Sequence, residues 1–219
     1  MSDKNWTDTE RFDNKAAEWD ANAVRAALAD GVARAIIAHM PVAKPANALE
    51  FGCGTGLVTT RIAPHCARLT AVDSSSEMLR MLGEKISASS IANIEPLHLD
   101  FSRPEEAAGL ERDYDFVYSS MTLHHIPETA SFLRELFGHL SPGGALAIAD
   151  LNAEDGLFHD DATEKVHHGF DRAVLKTLLE SAGFAGVSFM TAHIIEKKNR
   201  EGNLKSYPVF LVTALKPKA

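Results

Sequence analysis

Apolar runs of strand length alternate with helix-length stretches from about Ala46 to Leu151. The apolar runs are NALEF, LTAVD, IEPLHL, YDFVYS and ALAIADL, at 47–51, 69–73, 94–99, 114–119 and 145–151. Few charges interrupt these runs, which is typical of strands covered on both faces. The stretches between them, at 57–64, 74–89 and 128–140, have the polar starts and apolar faces of helices. This alternation predicts βαβ units with right-handed crossovers and a parallel sheet.

The C-terminal part has a different pattern. Asp171 is a candidate N-cap for a helix that ends at Gly183. Two strand-like runs follow, at 184–196 and 206–215, and the polar segment KKNREGNLK joins them. This is the pattern of a hairpin that adds antiparallel strands to the sheet. Pro208 favours an edge position for its part of the last run.

Together these elements predict an α/β fold. We expect a doubly wound, Rossmann-like sheet of seven mostly parallel strands, with helices on both faces and an antiparallel hairpin at the C-terminal end. The Ser141–Gly144 segment, Ser-Pro-Gly-Gly, predicts a turn between the third helical stretch and its strand. The Asn152–Phe170 segment fits no element and predicts a loop or short-helix insertion.

Composition narrows the class of protein. The chain has 219 residues and a mass of 23.8 kDa, which suits one domain. A 45% hydrophobic and 24% charged composition excludes collagen-like, disordered and coiled-coil chains. A net charge of −8 lacks the broad basic surface of nucleic-acid-binding proteins. Two cysteines, a polar N-terminus and the lack of a long apolar run predict a cytoplasmic protein with no membrane partner.

The segment ALEFGCGTGLVT, at 48–59, carries the clearest chemical signal. Its glycines at 52, 54 and 56 follow the first strand, where doubly wound sheets bind ligands and where glycine lets a ligand approach the main chain. Their G-x-G-x-G spacing differs from the G-x-G-x-x-G of dinucleotide sites, which disfavours a nicotinamide oxidoreductase. No lysine follows Gly56, so the phosphate-loop pattern also fails. The acid at Glu50 suits a ligand with a cationic amino acid end.

The segment EFGCGTG resembles motif I of the class I S-adenosylmethionine-dependent methyltransferases. The resemblance continues in register from Phe12 to about Phe184. Four further segments resemble the motifs of the later strands in the small-molecule, methyltransferase-11 or UbiE-like branch: AVDSSSEML, HLDF, FVYSSMTLHHI and LSPGGALAIAD. Five motifs in order are much more specific than one glycine loop.

The resemblance implies S-adenosylmethionine as the cofactor and S-adenosylhomocysteine as the product. Asp73 would bind the ribose hydroxyls, and Asp100 the adenine amine, with the Phe101 backbone N–H donating to the ring. Alternatively, Asp73 caps the next helix and Asp100 is a solvated loop acid. Glu50 would face the methionine end, and Ser119 and Ser120 would lie beside it. The other expected cofactor-binding residues are Gly52, Cys53, Gly54, Thr55, Gly56, Ser74 and Met78.

The acceptor side of the site is less defined by the sequence. His124 is a candidate general base, with a packing or loop role for it and for His125 as the alternative. His159, His167 and His168 fall in an Asp-rich segment that predicts a substrate-side loop in preference to a solvated loop or, third, a metal site. We expect no metal. Phe12 and Trp19 are candidate lid residues, with core packing equally compatible with their spacing.

We therefore expect one methyltransferase domain over residues 1–219. It would comprise an N-terminal helical lid at 1–40, a cofactor-binding core at 41–151, a substrate-side insertion at 152–170, and a last helix with antiparallel strands at 171–219. The expected reaction is methyl transfer to O, S or N of a small molecule by a monomer or homodimer. A non-catalytic S-adenosylmethionine-binding regulator and a protein methyltransferase remain open. No nucleic-acid partner is expected.

Overall fold

A seven-stranded sheet forms the centre of the protein. The computed structural model describes residues 9–40, 44–100, 110 and 113–218. The strands are β1 Asn47–Phe51, β2 Arg68–Asp73, β3 Ile94–His98, β4 Tyr114–Ser120, β5 Leu140–Leu151, β6 Ala185–Lys198 and β7 Leu204–Leu215. Their order across the sheet is β3-β2-β1-β4-β5-β7-β6. All five predicted strands of the central region and both strands of the hairpin are therefore confirmed.

Six α-helices are present in the described ranges. They are α1 Thr9–Lys15, α2 Ala23–Ala38, α3 Thr59–Ile62, α4 Ser76–Ser89, α5 Thr129–His139 and α6 Arg172–Ser181. Short 3₁₀ helices cover Ala16–Ala21, Ala63–His65 and Leu123–His125. None of the helices in these ranges combines the length and apolar character that a membrane crossing requires.

The pairing of the strands confirms the predicted topology. The strands β3, β2, β1, β4 and β5 are parallel to their neighbours, while β7 is antiparallel to both β5 and β6. Parallel neighbours need a crossover connection, and helices supply it between β2 and β3 and between β4 and β5. The carboxyl ends of β1, β2 and β4 consequently meet at one edge of the sheet, where a doubly wound fold binds its ligand.

Alternating residues of the central strands divide the core between the two faces of the sheet. On one face, α2, α3 and α4 contribute Val32, Ile36, Ile62 and Leu82. On the other face, α5 and α6 contribute Phe132, Leu133, Leu136, Leu175 and Leu179. Within β5, successive residues such as Leu146 and Ala147 belong to opposite faces. Burial of both faces explains the near-continuous apolar runs in the sequence.

Two local predictions are tested by the strand pairing. The Ser141–Gly144 segment lies within the bounds of β5 and not between two elements, but it interrupts the pairing of β5 with β4: Leu140 is opposite Tyr114, and the next pair is Ala145 with Phe116. On its other side, Gly143 N donates to Lys216 O at 2.9 Å. Pro208 lies in β7, which has a strand on each side over most of its length. At Pro208 only β6 pairs with it, so the predicted edge position for this part of the run is confirmed. The proline is accommodated because β5 ends at Leu151, one pair before Pro208.

The Asn152–Phe170 segment is a loop that contains no helix or strand. The sequence predicts either a loop or a short-helix insertion here, and the structure shows the loop. An isolated parallel bridge between Asn152 and Phe170 closes it at the end of β5. Gly169, with φ +69°, makes this closure possible, since a Cβ there would lie 2.1 Å from the Asn152 carbonyl oxygen. The close approach of two backbones therefore requires glycine at this position.

We predict that Gly169→Ala destabilises the protein far more than Gly202→Ala. Both glycines have positive φ, +69° and +85°, but a Cβ at Gly202 would meet open space. The strained backbone alone costs about 1–2 kcal/mol, and the clash with a main-chain oxygen should add at least about 2 kcal/mol for Gly169→Ala. Urea unfolding of both variants measures the difference, and equal losses would contradict the proposed closure of the loop.

Candidate active site

A cleft of about 640 Å³ opens at the carboxyl ends of β1, β2 and β4. Its walls combine the glycine loop with residues that follow the neighbouring strands. The walls include Phe12, Trp19, Phe51, Gly52, Gly54, Asp73, Ser74, Met78, Leu99, Asp100, Met121, Thr122, His125 and Ile126. We call it the first cleft. Eight of the predicted cofactor or lid residues and His125 therefore come together here, although they are far apart in the sequence.

The glycine loop after β1 is held close to the next strands. Gly52 N and Cys53 N both donate to Val72 O, at 2.9 and 3.0 Å. Gly52 and Gly56 have φ of +70° and +82°, and a Cβ on either would come within 2.4 Å of the side chain of Thr122 or Leu82. The G-x-G-x-G spacing thus meets two separate requirements of this turn, positive φ and close packing.

The Asp73 carboxylate is fixed at the wall of the first cleft. Its Oδ2 accepts from Gly54 N at 2.7 Å, and its Oδ1 accepts from Ser75 N at 2.9 Å. Burial raises the pKa of Asp73, and these backbone donors oppose the rise. The helix N-cap itself is Ser75, whose Oγ accepts from Met78 N at 3.1 Å. Asp73 therefore is not the cap, and each of its oxygens retains lone pairs for a ligand.

The N-terminal segment lies across the first cleft. Ser75 Oγ donates to Asp13 Oδ1 at 2.5 Å, and Thr55 Oγ1 donates to Asp20 Oδ1 at 2.6 Å. Lys85 connects the same two parts, because its Nζ lies 2.5 Å from Asp20 Oδ2 and donates to Thr55 O at 2.7 Å. Phe12 and Trp19 directly precede the two anchors in the sequence and lie on the cleft wall, with their ring centroids 6.0 Å apart.

A second cleft of about 1050 Å³ adjoins the first. Trp19, Met121 and His125 belong to the walls of both. Its other walls come from α1, α2, the 152–170 loop and β6. They include Arg11, Lys15, Asn22, Val24, Arg25, Leu28, His124, Phe158, His159, Asp160, Glu164, Ile195 and Lys197. The two clefts are thus separate spaces with a shared boundary of three side chains.

His124 forms a buried pair with Asp150. The Nδ1 atom of His124 lies 2.8 Å from Asp150 Oδ1, and its backbone N donates to Asp150 Oδ2 at 3.1 Å. The two side chains are 3% and 0% exposed. A carboxylate at Nδ1 selects the tautomer with hydrogen on Nδ1, so the Nε2 lone pair is the proton acceptor. This is the arrangement that a general base requires.

His125 and His159 have different surroundings. Burial, followed by the charges of His124 and His159, lowers the pKa of His125 well below its ordinary value, so its ring is neutral at pH 7. His159 Nδ1 lies 3.1 Å from Glu164 Oε2. Burial raises the pKa of Glu164, but hydrogen bonds from His159 and Arg11 outweigh this and bring it to about 2. Glu164 is therefore ionised at neutral pH.

Other predicted site residues lie away from both cleft walls in the described structure. Glu50, Cys53, Thr55, Gly56, Ser119, Ser120, His167 and His168 are in this group. Ser119 Oγ donates to Phe51 O at 2.9 Å, and His167 Nε2 is 2.9 Å from Ile126 O. His168 packs against Gly156. Their roles at the cofactor or acceptor stay predictions. Phe101 lies outside the described residues.

Glu50 lies beneath the glycine loop, within the core. It is 1% exposed, and Tyr118 Oη, on the adjacent strand, donates to its Oε2 at 2.9 Å. Burial raises the pKa of Glu50 to about 8, although the hydrogen bond from Tyr118 opposes the rise. The side chain is consequently protonated at neutral pH, which makes its burial compatible with a stable core.

Several residues of the site were missed by sequence reasoning. Asp13, Asp20 and Lys85 anchor the N-terminal segment, and Asp150 orients His124. The motif LSPGGALAIAD ends in Asp150, and a carboxylate in an otherwise apolar strand end was a signal for a buried partner. For the other three, sequence gives no signal, because polar residues on helices are common. Among the described residues, no group of three or more His, Cys, Asp or Glu side chains is arranged to hold a metal ion.

Three features define a class I methyltransferase architecture. They are the sheet order, the glycine loop after β1, and the two acids Asp73 at the end of β2 and Asp100 after β3. The sequence matches the methyltransferase domain family over residues 21–189, so the chain belongs to this family. Within it, the chain groups with the class I S-adenosylmethionine-dependent methyltransferases. The predicted class and fold are thereby confirmed.

Two curated relatives and one solved structure illustrate the similarity. An uncharacterized methyltransferase of Schizosaccharomyces pombe is 31% identical over 132 residues, which are 55% of this chain and 46% of the relative. The trans-aconitate 2-methyltransferase of Azoarcus sp. is 32% identical over 118 residues, 53% of this chain and 43% of the relative. The chain thus matches less than half the length of either. A DhpI–SAM–HEP complex is 19% identical with a TM-score of 0.72, covering 99% of this chain and 100% of that one, which establishes the fold.

We predict that Glu50 makes the stability of the protein fall as the pH rises from about 5 to 8. The unfolded chain loses this proton near the ordinary pKa of 4.5, whereas the folded chain keeps it up to about 8. The folded state therefore binds more protons in this window, and the free energy of unfolding falls by at most about 1.4 kcal/mol per pH unit. Urea unfolding of Glu50→Gln should show a smaller slope. Exposed Glu180→Gln is the control, and a slope unchanged by Glu50→Gln would contradict the raised pKa.

Proposed function

We propose that the chain transfers a methyl group from S-adenosylmethionine to an oxygen, sulfur or nitrogen atom of a small molecule by in-line displacement. The observation that carries this proposal is the pair of clefts that share Trp19, Met121 and His125. In-line displacement needs the donor sulfur, the methyl carbon and the acceptor atom on one line, with water excluded. Two adjoining clefts provide separate places for donor and acceptor, with the methyl group at their boundary.

The first cleft is assigned to the cofactor. Asp73 would accept from the ribose hydroxyls with the lone pairs that Gly54 and Ser75 leave free. Asp100 lies on the same wall and would accept from the adenine amine. The positive-φ glycines leave room for the methionine part of the cofactor at the main chain. Phe12 and Trp19 would cover the cofactor, and the anchors at Asp13 and Asp20 hold this lid in place.

The second cleft is assigned to the acceptor. It is a concave site lined by apolar, aromatic and a few charged side chains, which suits a small molecule. The names of two relatives, a trans-aconitate and a demethylmenaquinone methyltransferase, also favour a small acceptor over protein or nucleic acid. His124, held by Asp150, would accept the proton that the acceptor hydroxyl, thiol or amine releases. Neutral His125 lies at the shared boundary and would orient the acceptor atom.

We predict that the protein binds S-adenosylmethionine and S-adenosylhomocysteine and does not bind NAD. Asp73→Ala should weaken binding of both by about 1–3 kcal/mol, the usual loss for a charged hydrogen-bond partner. Calorimetric titration measures this, with Asp30→Ala as the control, because Asp30 pairs with Arg34 outside both clefts. NAD binding would favour an oxidoreductase, and unchanged affinity in a folded Asp73→Ala variant would exclude the ribose contact.

We further predict that His124→Ala keeps its affinity for S-adenosylmethionine and lowers turnover about 10²–10⁴-fold, the usual contribution of a general base. Turnover is followed as S-adenosylhomocysteine formed with an acceptor selected from small hydroxyl, thiol and amine compounds. Asp150→Asn should reduce turnover in the same direction, because it removes the carboxylate that fixes the tautomer. His65→Ala, at the exposed end of the 3₁₀ helix Ala63–His65, is the control.

Three outcomes of this assay bear on the alternatives. Full turnover in His124→Ala would leave that histidine a packing role. Cofactor binding without turnover on any small compound would favour a regulatory protein that senses S-adenosylmethionine. When S-adenosylmethionine with a labelled methyl group is used, transfer of that group to proteins and not to small solutes would favour a protein methyltransferase.

A further inference from the structure

The second cleft contains more basic than acidic side chains. Six charged residues line it: Arg11, Lys15, Arg25, Asp160, Glu164 and Lys197. Both carboxylates already have partners, since Glu164 pairs with Arg11, and Asp160 Oδ1 lies 3.0 Å from Lys197 Nζ. This leaves two positive charges in the cleft without a balancing carboxylate.

Lys15 and Arg25 carry these two charges. No carboxylate of the described structure lies within ion-pair distance of either. The chain as a whole has a net charge of −8, so a locally positive cleft runs against the overall charge of the protein. Such a field raises the local concentration of anions and orients them.

Arg25 is held beside the boundary of the two clefts. Its guanidinium carbon lies 3.8 Å from the centroid of the Trp19 ring, and Trp19 belongs to both cleft walls. Arg25 is half-buried, so its guanidinium has lost part of its water shell; this burial lowers its pKa, while the charge of Asp160 opposes the shift. A planar guanidinium fixed by stacking can bind the two oxygens of a carboxylate or phosphoryl group at once.

Lys15 extends the positive region toward the rim. Its pKa is lowered by burial and by the charges of Arg11 and Arg25, while the charges of Glu164 and Asp160 oppose the shift. The three cations are therefore close enough to influence one another. An anion bound between Lys15 and Arg25 would relieve this repulsion and restore the solvation lost by both groups.

We propose that the methyl acceptor carries an oxyanion, a carboxylate or a phosphoryl group, which Arg25 and Lys15 bind while its nucleophilic atom lies at the boundary near His125. This inference rests on the proposed function, because it names the class of acceptor for the second cleft. The anionic group determines which small molecules bind, and the remainder of the acceptor reaches toward the methyl group.

Binding of simple anions tests the site without knowledge of the acceptor. The wild-type protein, saturated with S-adenosylhomocysteine, is titrated calorimetrically with succinate, phosphonoacetate and the neutral succinamide. We expect both anions to bind at least tenfold more tightly than succinamide. Arg25→Gln should lose this preference, whereas Arg34→Gln should keep it, because Arg34 lies on the same helix and pairs with Asp30 outside both clefts.

Turnover provides a second readout. Acceptors are compared in pairs, each acid with its neutral amide, and we expect kcat/KM to be at least tenfold higher for the acids. In Arg25→Gln this advantage should disappear through a higher KM, with the affinity for S-adenosylmethionine retained. A purely structural role of Arg25 in holding Trp19 would instead weaken cofactor binding and affect acids and amides equally.

The outcomes separate this inference from the proposed function. Equal binding of succinate and succinamide, or equal turnover of acids and amides, would overturn the anionic acceptor while the methyltransferase assignment stands. Failure to bind S-adenosylhomocysteine would contradict the proposed function. The anion titrations are therefore repeated without S-adenosylhomocysteine. The difference in anion affinity between wild type and Arg25→Gln then still decides whether the second cleft selects oxyanions.

Discussion

The Asp73 carboxylate joins the two turns on which the candidate site is built. It accepts from Gly54 N in the glycine loop and from Ser75 N at the start of α4. Both turns then hold the N-terminal segment, through Thr55 with Asp20 and through Ser75 with Asp13. The position of the N-terminal segment, and with it the positions of Phe12 and Trp19, therefore depends on a carboxylate at the end of β2.

The two clefts have opposite electrostatic character. The first has the carboxylates of Asp73 and Asp100 on its wall, which suits the hydroxyl and amine donors of an adenosyl group. The second has an excess of basic side chains, with Arg25 stacked on Trp19. A cationic sulfonium cofactor and an anionic acceptor would each meet complementary charge, and the shared wall of Trp19, Met121 and His125 separates them.

Much of the fold could be predicted because its strands are short, apolar and bounded by clear signals. The bounds of β1, for example, agree with the predicted run at 47–51. The errors fall where tertiary contacts override local preference. Ser-Pro-Gly-Gly at 141–144 predicts a turn between two elements, yet the segment lies within β5, where it interrupts the pairing with β4 and where Gly143 N donates to Lys216 O. Pro208 agrees with its predicted edge position, because β5 ends beside it.

The sequence by itself determined the order of strands and helices, the glycine loop and the acids that follow β2 and β3, because these depend on local spacing and backbone conformation. Only the tertiary structure decided which polar residues meet. In the folded protein, Glu50 lies in the core beside Tyr118, and His124 pairs with Asp150. Lys15 and Arg25, from the two N-terminal helices, both line the second cleft. Glu50 and Tyr118 are 68 positions apart, and His124 and Asp150 are 26 positions apart. Periodicity carries no information about such contacts because a side chain's partner is set by how the elements pack.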